Sequence, residues 1–144
     1  MKNASQIKGS CLCDRVTVEL TNDPKTFSVC HCNMCRKWSG GAGMSLDAGE
    51  HLKFSSEEFV GRYSSSEWAE RGFCKNCGTH LFYRLKKTDH YFLFVGLFGD
   101  AISPQFDLQE FIDEKPAYYA FANETKSLTK AEGYALLEKY LNKP

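Results

Sequence analysis

The stretch "FCKNCGTHLFYRL", residues 73–85, joins a metal-binding pattern to a β-strand. Cys74 and Cys77 form a Cys-x-x-Cys pair on a tight turn, and Gly78 lets backbone amides point at the sulfurs. The run "HLFYRL" that follows places alternate apolar side chains on one face, which is the period of a half-buried strand. This stretch therefore predicts a β-rich fold that is held together by a metal ion.

The same combination occurs near the start of the chain, in "GSCLCDRVTVEL", residues 9–20. Cys11 and Cys13 precede an alternating run, so both pairs are expected at turns between strands. Four thiolates can close a tetrahedral site, although sixty residues separate Cys13 from Cys74. Such a zinc site contributes folding free energy on the order of 10 kcal/mol. We therefore predict a structural zinc ion here, with iron and buried free thiols as the alternatives. Its ligands are Cys11, Cys13, Cys74 and Cys77.

The remaining cysteines lie together in "SVCHCNMCRKWSG", residues 28–40. Cys30, Cys32 and Cys35 can bind one ion, and catalytic zinc sites typically hold three protein ligands and keep one position open. We therefore predict a second, open zinc site. One alternative is a closed site completed by a histidine, and another is a redox-active or metal-free trio. The candidate histidines are His31, His80 and His90, and the side chain of His31 is expected to point away from the metal.

An open site made of three thiolates has a distinct chemistry. The ion and its three thiolates carry a net charge of −1, so the centre is a weaker Lewis acid than a three-histidine site. It suits a soft fourth ligand, and a substrate thiol would bind as the nucleophilic thiolate. The reaction type implied is addition or removal of a small electrophile at the sulfur of a thiol.

Composition limits the other function classes. The chain has 144 residues and 42% hydrophobic content, which is enough for one core, so we expect one domain over residues 1–144. The 18 basic and 18 acidic side chains cancel, which argues against a nucleic-acid or membrane partner. No signal peptide is recognisable, and "YFLFVGLF" is too short to span a bilayer. We therefore expect a cytoplasmic protein; its oligomeric state is not indicated.

Most of the other periodic runs predict strands. These runs are "RVTVEL", "HLKF", "FVGRY" and "HYFLFVGLF". Clusters such as "DAGE", residues 47–50, predict turns, "NMCRKWSG" predicts one short helical turn, and residues 105–121 predict an irregular surface segment.

One helix is predicted at about residues 129–142. Thr129 and Glu132 form a capping box, and apolar side chains then recur every three or four positions. We expect this helix to cover an open side of the sheet. Gly133 within it costs about 1 kcal/mol relative to alanine.

The cysteine groups also resemble a known family in their order. "GSCLC", "CHCNMCRKWSG", "RGFCKNCGTHLFY" and "FIDEKPAYY" resemble the signature of the glutathione-dependent formaldehyde-activating enzyme family, also called the centromere protein V family. The resemblance covers about residues 7–121. It implies a mainly β, single-domain β-tent fold with two zinc sites. Full and partial occupancy of the second zinc site are both left open. Asp14 departs from the pattern, because relatives usually have glycine there.

The resemblance implies a carbon–sulfur lyase that combines glutathione and formaldehyde into S-(hydroxymethyl)glutathione or splits that adduct. Cys30, Cys32 and Cys35 would then carry the catalytic ion. Two alternatives remain: a non-catalytic binding module on a zinc-stabilised scaffold, and a thiol redox or metal-buffering protein. The binding module would have an exposed aromatic patch, for which the candidates are Tyr118, Tyr119 and Phe121.

Overall fold

The structure is a computed structural model that describes residues 7–142, and it confirms the mainly β fold class. Within the described residues, ten strands, two α-helices and three short 3-10 segments follow one another. The strands are β1 (Lys8–Ser10), β2 (Thr17–Glu19), β3 (Thr26–Cys30), β4 (Gly43–Glu50), β5 (Val60–Ser64), β6 (Ala69–Cys74), β7 (His80–Leu85), β8 (His90–Phe94), β9 (Gln105–Glu110) and β10 (Lys126–Leu128). The helices are α1 (Asn33–Ser39) and α2 (Lys130–Leu141), and the 3-10 segments are Glu57–Phe59, Val95–Ala101 and Ile112–Glu114.

The strands form two sheets. β1 and β2 pair as a small antiparallel sheet, and the other eight form one sheet in the order β10-β9-β3-β4-β8-β7-β6-β5. β9 runs parallel to both β3 and β10, whereas the remaining pairs of the large sheet are antiparallel. This arrangement places the ends of β3 and β9 side by side, where Cys30 is in register with Glu110.

The core lies where apolar side chains of the β2 region pack with those of the central strands of the large sheet. Its most deeply buried members come from both regions, so the small sheet covers one face of the large one. They include Val16, Leu20, Leu46, Leu81, Phe82 and Leu93. Burial of this apolar surface is the main favourable contribution to folding.

Both helices have well-defined ends. Residues 33–39 form α1 rather than one turn, because Cys32 caps it through its Sγ atom and Gly40 ends it in the left-handed conformation. α2 has the predicted capping box, in which the Thr129 side chain accepts from the Glu132 amide and the Glu132 carboxylate accepts from the Thr129 amide. The predicted terminal helix is therefore confirmed.

Four local predictions were wrong or only partly right. The "DAGE" segment continues β4 through a bulge at which Gly49 has φ 81°, and "HLKF" contributes a single bridge from Phe54. β8 ends at Phe94 and continues as a 3-10 segment. The predicted surface segment contains β9, an interior strand of the large sheet. β9 pairs with β3 in parallel and over a long distance along the chain. Its alternation of apolar and polar residues is short, and the turn-forming residues around it led to the wrong prediction.

No helix within residues 7–142 has the length and hydropathy needed to cross a membrane.

Candidate functional site

Cys11, Cys13, Cys74 and Cys77 lie together as predicted. The first pair is on the β1–β2 connection and the second on the β6–β7 turn, and the four Sγ atoms are all within 4.8 Å of one another. The Sγ atom of Cys13 is 3.6 Å from that of Cys11 and 3.8 Å from that of Cys74. We refer to these residues as the four-cysteine cluster. Four sulfurs gathered in this way could hold a metal ion.

The turns that carry this cluster depend on left-handed backbone. Gly78 has φ 80°, and its amide donates to the Cys74 carbonyl. Asp14 has φ 64°, a conformation that an aspartate tolerates better than most residues, so this turn forms without the glycine that the resemblance implies. The side chain of Thr79 joins the two turns by accepting from the Leu12 amide, and its hydrogen bond to Cys77 lowers the pKa of that thiol to about 5.

Cys30, Cys32 and Cys35 also lie together, at the end of β3 and the start of α1. Their sulfurs are all within 4.8 Å of one another, and all three side chains are partly exposed. We call these residues the three-cysteine cluster. The close approach of the Cys30 and Cys32 thiols lowers the pKa of Cys32 and raises that of Cys30. Within residues 7–142, no histidine, aspartate or glutamate joins this group as a fourth ligand.

His31 faces away from the sulfurs, as expected from its position between Cys30 and Cys32. It is fully buried, and both ring nitrogens are occupied: one is 2.6 Å from the Tyr119 hydroxyl and the other 2.9 Å from Gln109 Oε1. The amide group of Gln109 also donates to Thr125, which directs its oxygen to Nε2 of His31. Nδ1 therefore accepts from Tyr119, and burial lowers the pKa of His31.

The other two candidate histidines are also engaged elsewhere. The ring of His80 stacks on Trp38 with centroids 4.6 Å apart, and burial lowers its pKa. His90 is buried, and its Nε2 atom lies 2.6 Å from Asp47. The geometry therefore does not favour a closed site completed by histidine.

A cavity of about 820 Å³ opens onto the three-cysteine cluster. All three cysteines line it, whereas the four-cysteine cluster does not. Its walls are largely aromatic and aliphatic, with α2 on one side. They include Phe27, Trp68, Tyr83, Phe92, Leu137 and Tyr140. Polar and charged side chains, Asp47 and Lys130 among them, also line it. A cavity that combines aromatic walls with polar groups suits a small molecule, and only the three-cysteine cluster faces it.

Sequence reasoning missed two charged residues in this cavity, one buried and one half-buried. Arg71, on β6, is 4% exposed, and its two terminal nitrogens lie 3.8 and 3.7 Å from the Sγ atom of Cys35. Glu110, at the end of β9, accepts from the Ser28 hydroxyl, and burial raises its pKa. Glu110 falls in a segment predicted to be irregular, and nothing in the sequence around Arg71 distinguishes it from a surface arginine.

The exposed aromatic patch predicted for a binding module is incomplete. Tyr118 is 78% exposed, but Tyr119 is half-buried against His31, and Phe121 packs on Phe106 with ring centroids 5.2 Å apart.

Comparison with known proteins agrees with this architecture. Residues 6–113 match the family model described as "Glutathione-dependent formaldehyde-activating enzyme". An uncharacterized lyase of Schizosaccharomyces pombe is 38% identical over 88% of this chain and 93% of its own length. A Halomonas elongata protein, provisionally named a glutathione-dependent formaldehyde-activating enzyme, is 30% identical over 52% of this chain and 54% of its own length.

A crystal structure of a Rhodobacter sphaeroides protein is similar in fold. It matches with a TM-score of 0.55 and 24% identity, covering 67% of this chain and 91% of the other. The family inferred from the cysteine motifs is confirmed by the matching family model and by the fission-yeast relative. This chain belongs to the glutathione-dependent formaldehyde-activating enzyme family.

Proposed function

We propose that this protein is a zinc-dependent carbon–sulfur lyase that acts on the adduct of a small thiol, such as glutathione, with an aldehyde such as formaldehyde. The observation that carries the proposal is the three-cysteine cluster, which lacks a fourth ligand among residues 7–142 and opens into a cavity of about 820 Å³. Family membership and the lyase name of the fission-yeast relative support the reaction class.

The residues present fit zinc. A tetrahedral ion with zinc–sulfur bonds of about 2.3 Å separates its sulfur ligands by about 3.8 Å. The two sulfur–sulfur distances given above for the four-cysteine cluster are 3.6 and 3.8 Å, close to that value. An all-thiolate donor set favours zinc over harder cations. We assign the structural ion to the four-cysteine cluster and the catalytic ion to the three-cysteine cluster.

When bound by Cys30, Cys32 and Cys35, the ion supplies a position that favours a soft ligand and keeps a thiol in its thiolate form. The protein's own residues do the remaining work. The hydrogen bonds of His31 hold the loop that carries the cysteines, and the aromatic walls offer apolar surface against which the substrate can pack. In the synthetic direction a sulfur–carbon bond forms, the carbonyl π bond breaks, and the carbonyl oxygen takes up the proton that the thiol lost.

Metal content tests the assignment. Protein purified without oxygen should contain two zinc ions per chain, and Cys32→Ser should contain one, because only the three-cysteine cluster is disrupted. A ratio of one in both proteins would contradict the open-site proposal. If the zinc content of Cys32→Ser falls from two ions to one and the variant also unfolds, with loss of secondary structure, the cluster assigned as catalytic is instead structural.

Exchange of labelled formaldehyde on glutathione tests the reaction itself, because the spontaneous reaction gives a baseline. The wild-type protein should accelerate exchange above that baseline, whereas Cys32→Ser should not. Equal rates with wild type, with Cys32→Ser and without protein would exclude this substrate pair.

A further inference from the structure

Arg71 is the cation packed against the three-cysteine cluster. It lies on β6, which is adjacent to β7 in the large sheet. Both terminal nitrogens of its guanidinium group donate toward the Sγ atom of Cys35, at distances of 3.8 and 3.7 Å. It also lines the cavity. A planar guanidinium that presents two donors to one acceptor is held more precisely than an ammonium group would be.

Two aromatic rings hold this side chain in place. The guanidinium carbon of Arg71 lies 5.1 Å from the ring centroid of Tyr83 and 6.0 Å from that of Trp38. Both distances fall in the range of a cation–π contact. The orientation toward Cys35 is therefore fixed by packing.

Among the described residues, no carboxylate lies within ion-pair distance of Arg71. The arginines on the two adjacent strands, by contrast, both have one. Arg62 and Arg84, on the adjacent strands, both bind Glu70. A buried charge without a counter-charge is strongly unfavourable. With Arg71 only 4% exposed, the groups available to balance it are the cysteine thiolates.

We infer that Arg71 is a positioning residue that makes the open position of the three-cysteine cluster selective for an anionic ligand, the thiolate of the substrate. The inference rests on the proposed function. Three thiolates and a divalent ion carry −1, and Arg71 brings the local charge to zero. When an anionic fourth ligand binds, the net local charge becomes −1. Without Arg71 the net local charge would be −2 in a partly buried site, and that charge is much less favourable. A neutral ligand gains no such benefit.

Ligand binding to the cobalt-loaded full-length protein tests this inference at a single pH. Visible cobalt spectra respond to the ligand at the open position, and the difference spectrum removes the constant contribution of the four-cysteine cluster. The two probes are 2-mercaptoethanol, which binds as an anion and has no carboxylate of its own, and imidazole, which binds as a neutral molecule.

In Arg71→Gln, affinity for 2-mercaptoethanol should fall by about tenfold or more, the size expected when a charge-assisted contact is lost. Affinity for imidazole should change by less than about threefold. Arg71→Lys keeps the charge, so its preference for the thiol over imidazole should stay within about threefold of wild type. Arg62→Gln removes the same charge from a partly exposed site on β5 and should change neither affinity.

An equal loss of affinity for both ligands in Arg71→Gln, or no loss for either, would overturn the inference. If Arg71→Gln fails to fold, Arg71→Lys decides, because a folded lysine variant that loses the thiol preference also overturns it. If 2-mercaptoethanol leaves the cobalt spectrum of the wild-type protein unchanged, the proposed open site is refuted, and this inference with it. A wild-type response that Arg71→Gln retains in full would refute the role of Arg71 alone.

Discussion

Gly133→Ala should destabilise the protein even though alanine is the better helix former. Gly133 is the buried residue of α2, and a methyl group added there would lie 2.8 Å from Cε1 and 3.3 Å from Cδ1 of the Phe111 ring. Contacts this short force the ring or the helix to move. The glycine therefore sets how closely α2 approaches the 3-10 segment that follows Phe111.

Two opposing contributions decide the magnitude. Replacing glycine by alanine within a helix gains about 1 kcal/mol of stability. Overpacking against a partly buried ring costs about 1 to 3 kcal/mol. We therefore expect Gly133→Ala to lower the free energy of unfolding by about 1 kcal/mol in the wild-type background, but to raise it by about 1 kcal/mol in a Phe111→Ala background. The coupling energy between the two positions is then about 2 kcal/mol.

Urea unfolding of the four proteins of this cycle, at equal metal content, measures the coupling. Ala135→Gly, at an exposed position of the same helix, gives the propensity contribution alone and should cost about 1 kcal/mol. A stabilising Gly133→Ala in the wild-type background would refute the steric reasoning. So would an equal effect of this substitution with and without the Phe111 ring.

Three further predictions concern groups that are buried or half-buried. Tyr119→Phe leaves Nδ1 of His31 without its partner and should lower the free energy of unfolding by about 1 to 2 kcal/mol in urea. Burial raises the folded-state pKa of Glu110 above its unfolded value. The contribution of Glu110 to stability is therefore fully present below the unfolded pKa and is lost as pH rises through the folded pKa. Glu110→Gln should accordingly gain stability relative to wild type as pH rises above about 4.5. Gly72→Ala would place a methyl group 2.2 Å from the fully buried ring of Phe82 and should cost about 3 kcal/mol, measured by thermal or urea unfolding.

Matched variants isolate each effect. Tyr118→Phe removes an exposed hydroxyl and should change stability little. Gly96→Ala adds a methyl group with no atom within 4 Å, so it should not cause overpacking. For Glu110→Gln the control is the wild-type protein measured over the same pH range. Equal effects in a variant and its control would contradict the corresponding prediction.

The sequence predicted the grouping of the cysteines well because the members of each pair or trio lie within a few positions of one another. Cys74 and Cys77 need only one turn to face the same point, and the Gly78 signal marks that turn. The period of two identified β7 for the same reason, since strand alternation is a local property.

The rest of the site is made by pairings that are distant along the chain. Arg71, on β6, contacts Cys35 although the two residues are 36 positions apart, and Glu110 lies beside Cys30 because β9 pairs with β3 in parallel. Parallel register is set by tertiary packing rather than by a local turn, so no short stretch of sequence encodes it. The same is true of His31, whose partners are 78 and 88 positions away.

The two cysteine clusters span the chain very differently, and that difference bears on how the family can evolve. The four-cysteine cluster joins turns whose cysteines are 61 positions apart, so losing the ion that we propose there would release a long loop and increase the entropy of the chain. Cys30 and Cys35 are five positions apart on a loop that α1 and His31 already hold, so losing the ion proposed for the three-cysteine cluster would free almost no chain. A descendant could therefore replace these three cysteines and acquire another activity while keeping the scaffold.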